Sequence, residues 1–139
     1  MTRLYSPTLI VMHWLLAILI GAQLSLATVL PTGLHVTLGF SIGLLTLWRL
    51  VLRPEPEQLV LVHEPGSKAV RLHLASYVLI GAVCVSGFAG IMLPHLEDTL
   101  WPIHHYLAYT LAALIGLHIA ATLYRQWYLK DPVMARMKK

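Results

Sequence analysis

Eight histidines stand in a chain of 139 residues, and four of them fall within or at the mouths of strongly apolar segments: His13, His35, His104 and His118. His73 and His105 lie near the ends of such segments. Imidazole in an apolar segment is costly to bury and usually serves a function. It can ligate a metal, pass a proton, or hydrogen-bond between helices. Any one of these residues alone reads as an inter-helix hydrogen bond. Their spacing as a set says more. The interval from His104 to His118 is just under four turns of helix. At 100° per residue it returns to within about 40° of the same helix face, with about 21 Å of rise between the two rings. One helix therefore presents two imidazoles on one side at two depths, whereas His105 points about 100° away from His104 and cannot share that face.

The segments that carry these residues are set by the charges. Hydrophobic residues make up 58% of the chain and charged residues only 12%, where a soluble domain carries roughly 25% charged. Three long runs without Asp, Glu, Lys or Arg extend from Arg3 to Arg49, from Arg71 to Glu97 and from Asp98 to Arg125. About 20 apolar residues cross a bilayer core, so the first run holds two spans and the others one each. The spans are expected at 7–27, 34–52, 72–93 and 101–128, with a tight turn at Pro31-Thr32-Gly33, a stop at Pro54 and Pro56, and a short acidic loop holding Glu97 and Asp98. Trp101-Pro102 opens the last span, where proline suits a first helical turn. The expected fold is all-α: one domain over residues 1–139, an integral membrane four-helix bundle. The first span reads as retained, since no clear cleavage site follows it. Cys84 is the lone cysteine, which excludes an intramolecular disulfide and a four-cysteine iron–sulfur cluster.

All ten Lys and Arg residues (Arg3, Arg49, Arg53, Lys68, Arg71, Arg125, Lys130, Arg136, Lys138 and Lys139) gather on one side of this arrangement. Cytoplasmic loops collect positive charge, so both termini are expected in the cytoplasm. Basic residues flanking spans are membrane anchors and give no reason to expect nucleic acid. Trp101, Tyr106, Trp127 and Tyr128 at span ends read as interface anchors, and Trp14 beside His13 as packing on a cofactor or facing lipid.

Depth then sorts the histidines into pairs. His13 lies on the cytoplasmic side of the first span's midpoint, and His118 lies a similar distance past the midpoint of the descending fourth span. His35 and His104 each open a span near the outer surface. Two opposed imidazoles at each of two depths suit the axial positions of b-type haem, which wants two nitrogens and a large apolar slot. Zinc usually takes four ligands, and no Asp or Glu lies in any expected span. Gly39 and Gly43, one and two turns after His35, sit near its face; they make room for a flat ring or serve a helix-packing motif. Arg49 follows His35 at the same interval as His118 follows His104. It can pair with a haem propionate or snorkel to the interface.

The pattern resembles the bacterial cytochrome b561 family. The residues that carry the resemblance are His13-Trp14-Leu15, His35 through Ser41 with Arg49 at the family spacing, His104 with Ile115-Gly116-Leu117-His118, and the tail Lys130-Asp131-Pro132-Val133-Met134-Ala135-Arg136-Met137. The likeness extends over all four spans. It implies a multi-pass protein of the bacterial inner membrane with two haems b, His13 and His118 holding the inner iron and His35 and His104 the outer. It also implies ubiquinone or another quinone as redox partner, exchanging electrons with superoxide or a redox protein at the outer face. Some members resemble superoxide:ubiquinone oxidoreductases, which would make the chain a quinone-linked oxidoreductase; others serve as relay subunits of hydrogenases and dehydrogenases. A quinone site is expected near the inner haem, among Arg3, Arg71, His73 and Arg125. The chain departs from the family in shorter outer loops without Lys or Arg, where Glu97 and Asp98 would repel an anion, and in Arg125-Gln126 where relatives often have His-His. A small transporter or channel with histidine-lined sites is the alternative from another class.

Overall fold

A computed structural model describes residues 7–51 and 68–130, with side chains from 71 onward in the second stretch. They form four long helices: α1 (Pro7–Leu26), α2 (Thr32–Val51), α3 (Lys68–Met92) and α4 (Glu97–Trp127), with a 3₁₀ turn at Pro94–Leu96 between the last two. All four are long and apolar enough to cross a membrane. Large apolar and aromatic side chains face outward along them, including Ile18, Phe40, Val78, Val85, Tyr106 and Leu117. A helix apolar all round gains nothing from water on any face, which suits a lipid surrounding.

Two boundaries differ from those expected. The turn after α1 falls at residues 27–30, where the amides of Val29 and Leu30 both donate to the Leu26 carbonyl at 3.0 and 2.9 Å. Thr32 and Gly33 already belong to α2, whose first turn includes a bond from the His35 amide to the Pro31 carbonyl at 3.0 Å. Likewise Glu97 and Asp98 are the first turn of α4 and not a loop. Carboxylates there face the positive end of the helix dipole, and Pro102 is accommodated inside the helix.

Backbones approach most closely between α3 and α4, between α1 and α2, and between α2 and α3. Among the described residues, a buried apolar cluster takes one side chain from each helix, Leu16, Ile42, Ile80 and Leu111, and Leu9 and Met12 of α1 are buried as well. Leu111 lies midway along the chain between His104 and His118, with about 10 Å of rise in each direction. The apolar layer thus separates two depths of the bundle. Buried hydroxyls are satisfied within their own helices, Thr46 donating to the Ile42 carbonyl at 2.8 Å and Ser86 to that of Val83 at 3.0 Å.

Candidate functional site: two histidine pairs sharing one helix

Above the core layer, at the end of the bundle where α2 and α4 begin, the rings of His35 and His104 stand with centroids 6.3 Å apart and planes at 75°. Below it, His13 of α1 and His118 of α4 stand 6.3 Å apart at 67°. One metal ion held between two imidazole nitrogens needs two bonds of about 2 Å and roughly 1 Å more from each nitrogen to its ring centre, about 6 Å in all. Both pairs fit that span. Among the described residues no three His, Cys, Asp or Glu side chains converge on a point where they could hold a bare ion. The donor set offers opposed pairs, which would suit the iron of a haem b.

Each pair has a supporting frame. The Nδ1–H of His104 donates to the Val83 carbonyl at 3.0 Å, with the Ser86 hydroxyl 3.3 Å away. A carbonyl only accepts, so the proton sits on Nδ1 and the Nε2 lone pair is left for a metal. The ring lies against Gly87, where an added Cβ would come within 2.9 Å of Cε1 and 3.1 Å of Nδ1. Trp101, one turn earlier on α4, covers Gly90, where an added Cβ would come within 3.3 Å of its ring, and stands edge-on to His104 with centroids 6.0 Å apart. His105 is exposed. On the other ring of this pair, the Gln23 amide nitrogen donates to His35 Nδ1 at 3.0 Å and to the His35 carbonyl at 2.9 Å. Gln23 Oε1 is buried without a hydrogen-bond partner among the described residues.

The family model for prokaryotic cytochrome b561 matches residues 4–139. The chain belongs to the prokaryotic cytochrome b561 family. A curated relative is named Probable superoxide oxidase CybB, from Yersinia pestis; it is 27% identical over 170 residues, covering 99% of this chain and 97% of the relative. The aligned length exceeds this chain's, so the relative carries insertions that this cytochrome lacks. Family membership supports a haem b electron-transfer role.

Other candidate residues of this cytochrome fall in different places. Arg49, in the last turn of α2, donates from Nε to the Tyr77 hydroxyl of α3 at 2.8 Å. His73, expected near the inner pair, has its ring 4.8 Å from that of His118 and 6.4 Å from that of His13. Arg71 is exposed in the first turns of α3 and Arg125 lies in the last turn of α4. Arg3 lies outside the described residues. Gly43 packs on Cys84, with 3.4 Å from an added Cβ to the sulfur, which is the helix-packing role; at Gly39 an added Cβ would meet the Gln23 amide nitrogen at 3.6 Å. Trp14 is edge-on to His13 at 6.0 Å yet 41% exposed. Gln23, Gly87, Ser86 and Tyr77 are site residues that the histidine spacing alone does not reveal. The lone amide of α1 in an otherwise apolar stretch is the available signal for Gln23.

Proposed function

We propose that this cytochrome holds two haems b, at His13/His118 and at His35/His104, and moves electrons across the bacterial inner membrane between a partner at the outer face and the quinone pool. The observation that carries the reading is the 6.3 Å separation repeated in two imidazole pairs at two depths. Haem b supplies a one-electron iron couple when bound. The chain's own residues orient and insulate. Val83 and Ser86 fix the His104 tautomer; the Leu16, Ile42, Ile80 and Leu111 layer keeps water from the space between the sites. Arg49, steadied by Tyr77, offers a cation to propionates at the inner end. The placing of all ten basic residues toward one side supports termini in the cytoplasm.

Gln23 has a distinct part in this scheme. An amide nitrogen cannot accept, so its bond to His35 Nδ1 puts that ring's proton on Nε2. Were Nε2 to hold the iron, the proton would stand on Nδ1, and Gln23 Oε1, without a partner among the described residues, would be the acceptor to meet it. Second-sphere partners of this kind are typically worth about 10- to 100-fold in metal affinity. Gln23→Leu is expected to weaken outer-site haem affinity by about that factor, read by competition with a haem-scavenging apoprotein; an unchanged affinity would remove Gln23 from the site.

The relative's name brings superoxide forward as the outer partner. Against it stands the charge of the outer end, where Glu97 and Asp98 occupy the first turn of α4 and no Lys or Arg lies between Leu93 and Ile103. An anion is repelled there and a docking redox protein with a basic patch is favoured. The deciding experiment is purification followed by reduced-minus-oxidised spectra, haem counting, and reduction by ubiquinol or by superoxide. Two haems b per chain, reduced readily by ubiquinol and poorly by superoxide, is the expected result. Colourless protein would sink the reading in favour of a histidine-lined transporter, and rapid superoxide-driven reduction would restore superoxide as the donor.

A further inference from the structure

The lower pair has a third member. His73 of α3 stands 6.4 Å from His13, with planes at 70°, beside the 6.3 Å and 67° of His118. Each separation matches the span of two imidazoles on one metal, about 6 Å. His73 and His118 are only 4.8 Å apart, too close to face each other across an ion. His13 is therefore common to two alternative pairs.

We propose that His73 is a second axial ligand for the inner iron, able to replace His118 but not His13. The proposal rests on the reading that His13 and His118 hold a haem iron. The asymmetry comes from the triangle of rings. His73 is nearer to His118 than to His13, so it lies on the His118 side of the midpoint between the pair. The three sides place its ring centre roughly 5 Å from that midpoint, where a bound imidazole needs roughly 3 Å. A difference of about 2 Å is within the sweep of the two side-chain torsions of histidine. The ring is half-buried beside Tyr77, tilted at 31° with centroids 6.4 Å apart, so it is already held toward the bundle interior. In the exchange one nitrogen–iron bond to His118 breaks and one to His73 forms. Both imidazoles are neutral lone-pair donors, so the iron's oxidation state and the proton count are unchanged.

The test uses the full-length cytochrome purified in detergent, with haem counted per chain and low-spin iron read by electron paramagnetic resonance. The outer haem, ligated elsewhere, reports in every variant that the bundle has folded. His118→Ala is expected to retain two low-spin haems. His73→Ala is also expected to retain two, and the double variant to fall to one low-spin haem. His118→Val repeats the test with more of the vacated volume filled, should alanine cost the outer signal. Loss of the inner haem, or its conversion to high-spin iron, in His118→Ala alone would overturn the proposal. Loss in His73→Ala alone would make His73 the resting ligand and overturn it equally. His13→Ala separates this from the broader reading: it should lose the inner haem whatever His73 does, and retention there would refute the inner-site assignment itself.

Discussion

His104→Ala is expected to cut haem b from two per chain to one, while His105→Ala leaves both in place. The two residues are neighbours of identical chemistry, so the contrast isolates geometry. His104 is half-buried, faces His35 at 6.3 Å, and has its Nδ1–H tied to the Val83 carbonyl at 3.0 Å. That bond leaves the Nε2 lone pair available to a metal. His105 is exposed on another face of α4. It approaches His104, with ring centroids 5.9 Å apart at 70°, but it lacks a place on the shared side, because successive residues on a helix diverge by about 100°. The measurement is haem per chain with the reduced α-band; a second haem lost on changing His105 and kept on changing His104 would overturn the assignment of the outer pair.

Gly87→Val should empty the same outer site without touching a ligand. A Cβ at position 87 would lie 2.9 Å from His104 Cε1 and 3.1 Å from Nδ1, inside the distance at which atoms can remain. The ring cannot simply retreat, because its hydrogen bond to Val83 and its contact with Gly87 both come from α3 and hold it at one height. Metal–nitrogen bonds tolerate shifts of about 0.2 Å, so displacing the ring by more than that breaks ligation. Gly87→Ala gives the graded comparison. Alanine favours a helix over glycine by about 0.5–1 kcal/mol, so any fall in outer haem with alanine must come from the ring and not from a weakened helix. The expected series is full occupancy in wild type, partial with alanine and near zero with valine, with the inner haem constant throughout. Full occupancy with valine would show that the ring moves freely and that Gly87 has no positioning role.

The four helices are legible because uncharged runs of sufficient length leave little else for the chain to do. The joint service of His104 and His118 is legible too, since both lie on one helix and a single interval decides their faces. What cannot be read lies between helices. A span that is apolar all round gives no moment to say which face turns inward, so the azimuths of α1 and α3 stay open. That is why the sequence sets His73 near the inner pair without showing that its ring adjoins His118, and why it singles out Gly39 and Gly43 but not Gly87 beneath His104. The acidic start of α4 reads as a loop because Pro102 suggests a first turn, whereas Glu97 and Asp98 have the stronger claim as residues that favour a helix N-terminus.

Because α4 carries one histidine of each pair, the stretch between His104 and His118 behaves as a ruler that two separate sites read at once. Adding or deleting one residue in that interval would turn one imidazole by about 100° and move it about 1.5 Å along the axis relative to the other. No rotation of the helix could then satisfy both partners. The interval is closed to change in length, however freely its residue types vary. Differences in length among such chains are thus expected outside that interval, where a shorter chain keeps both pairs.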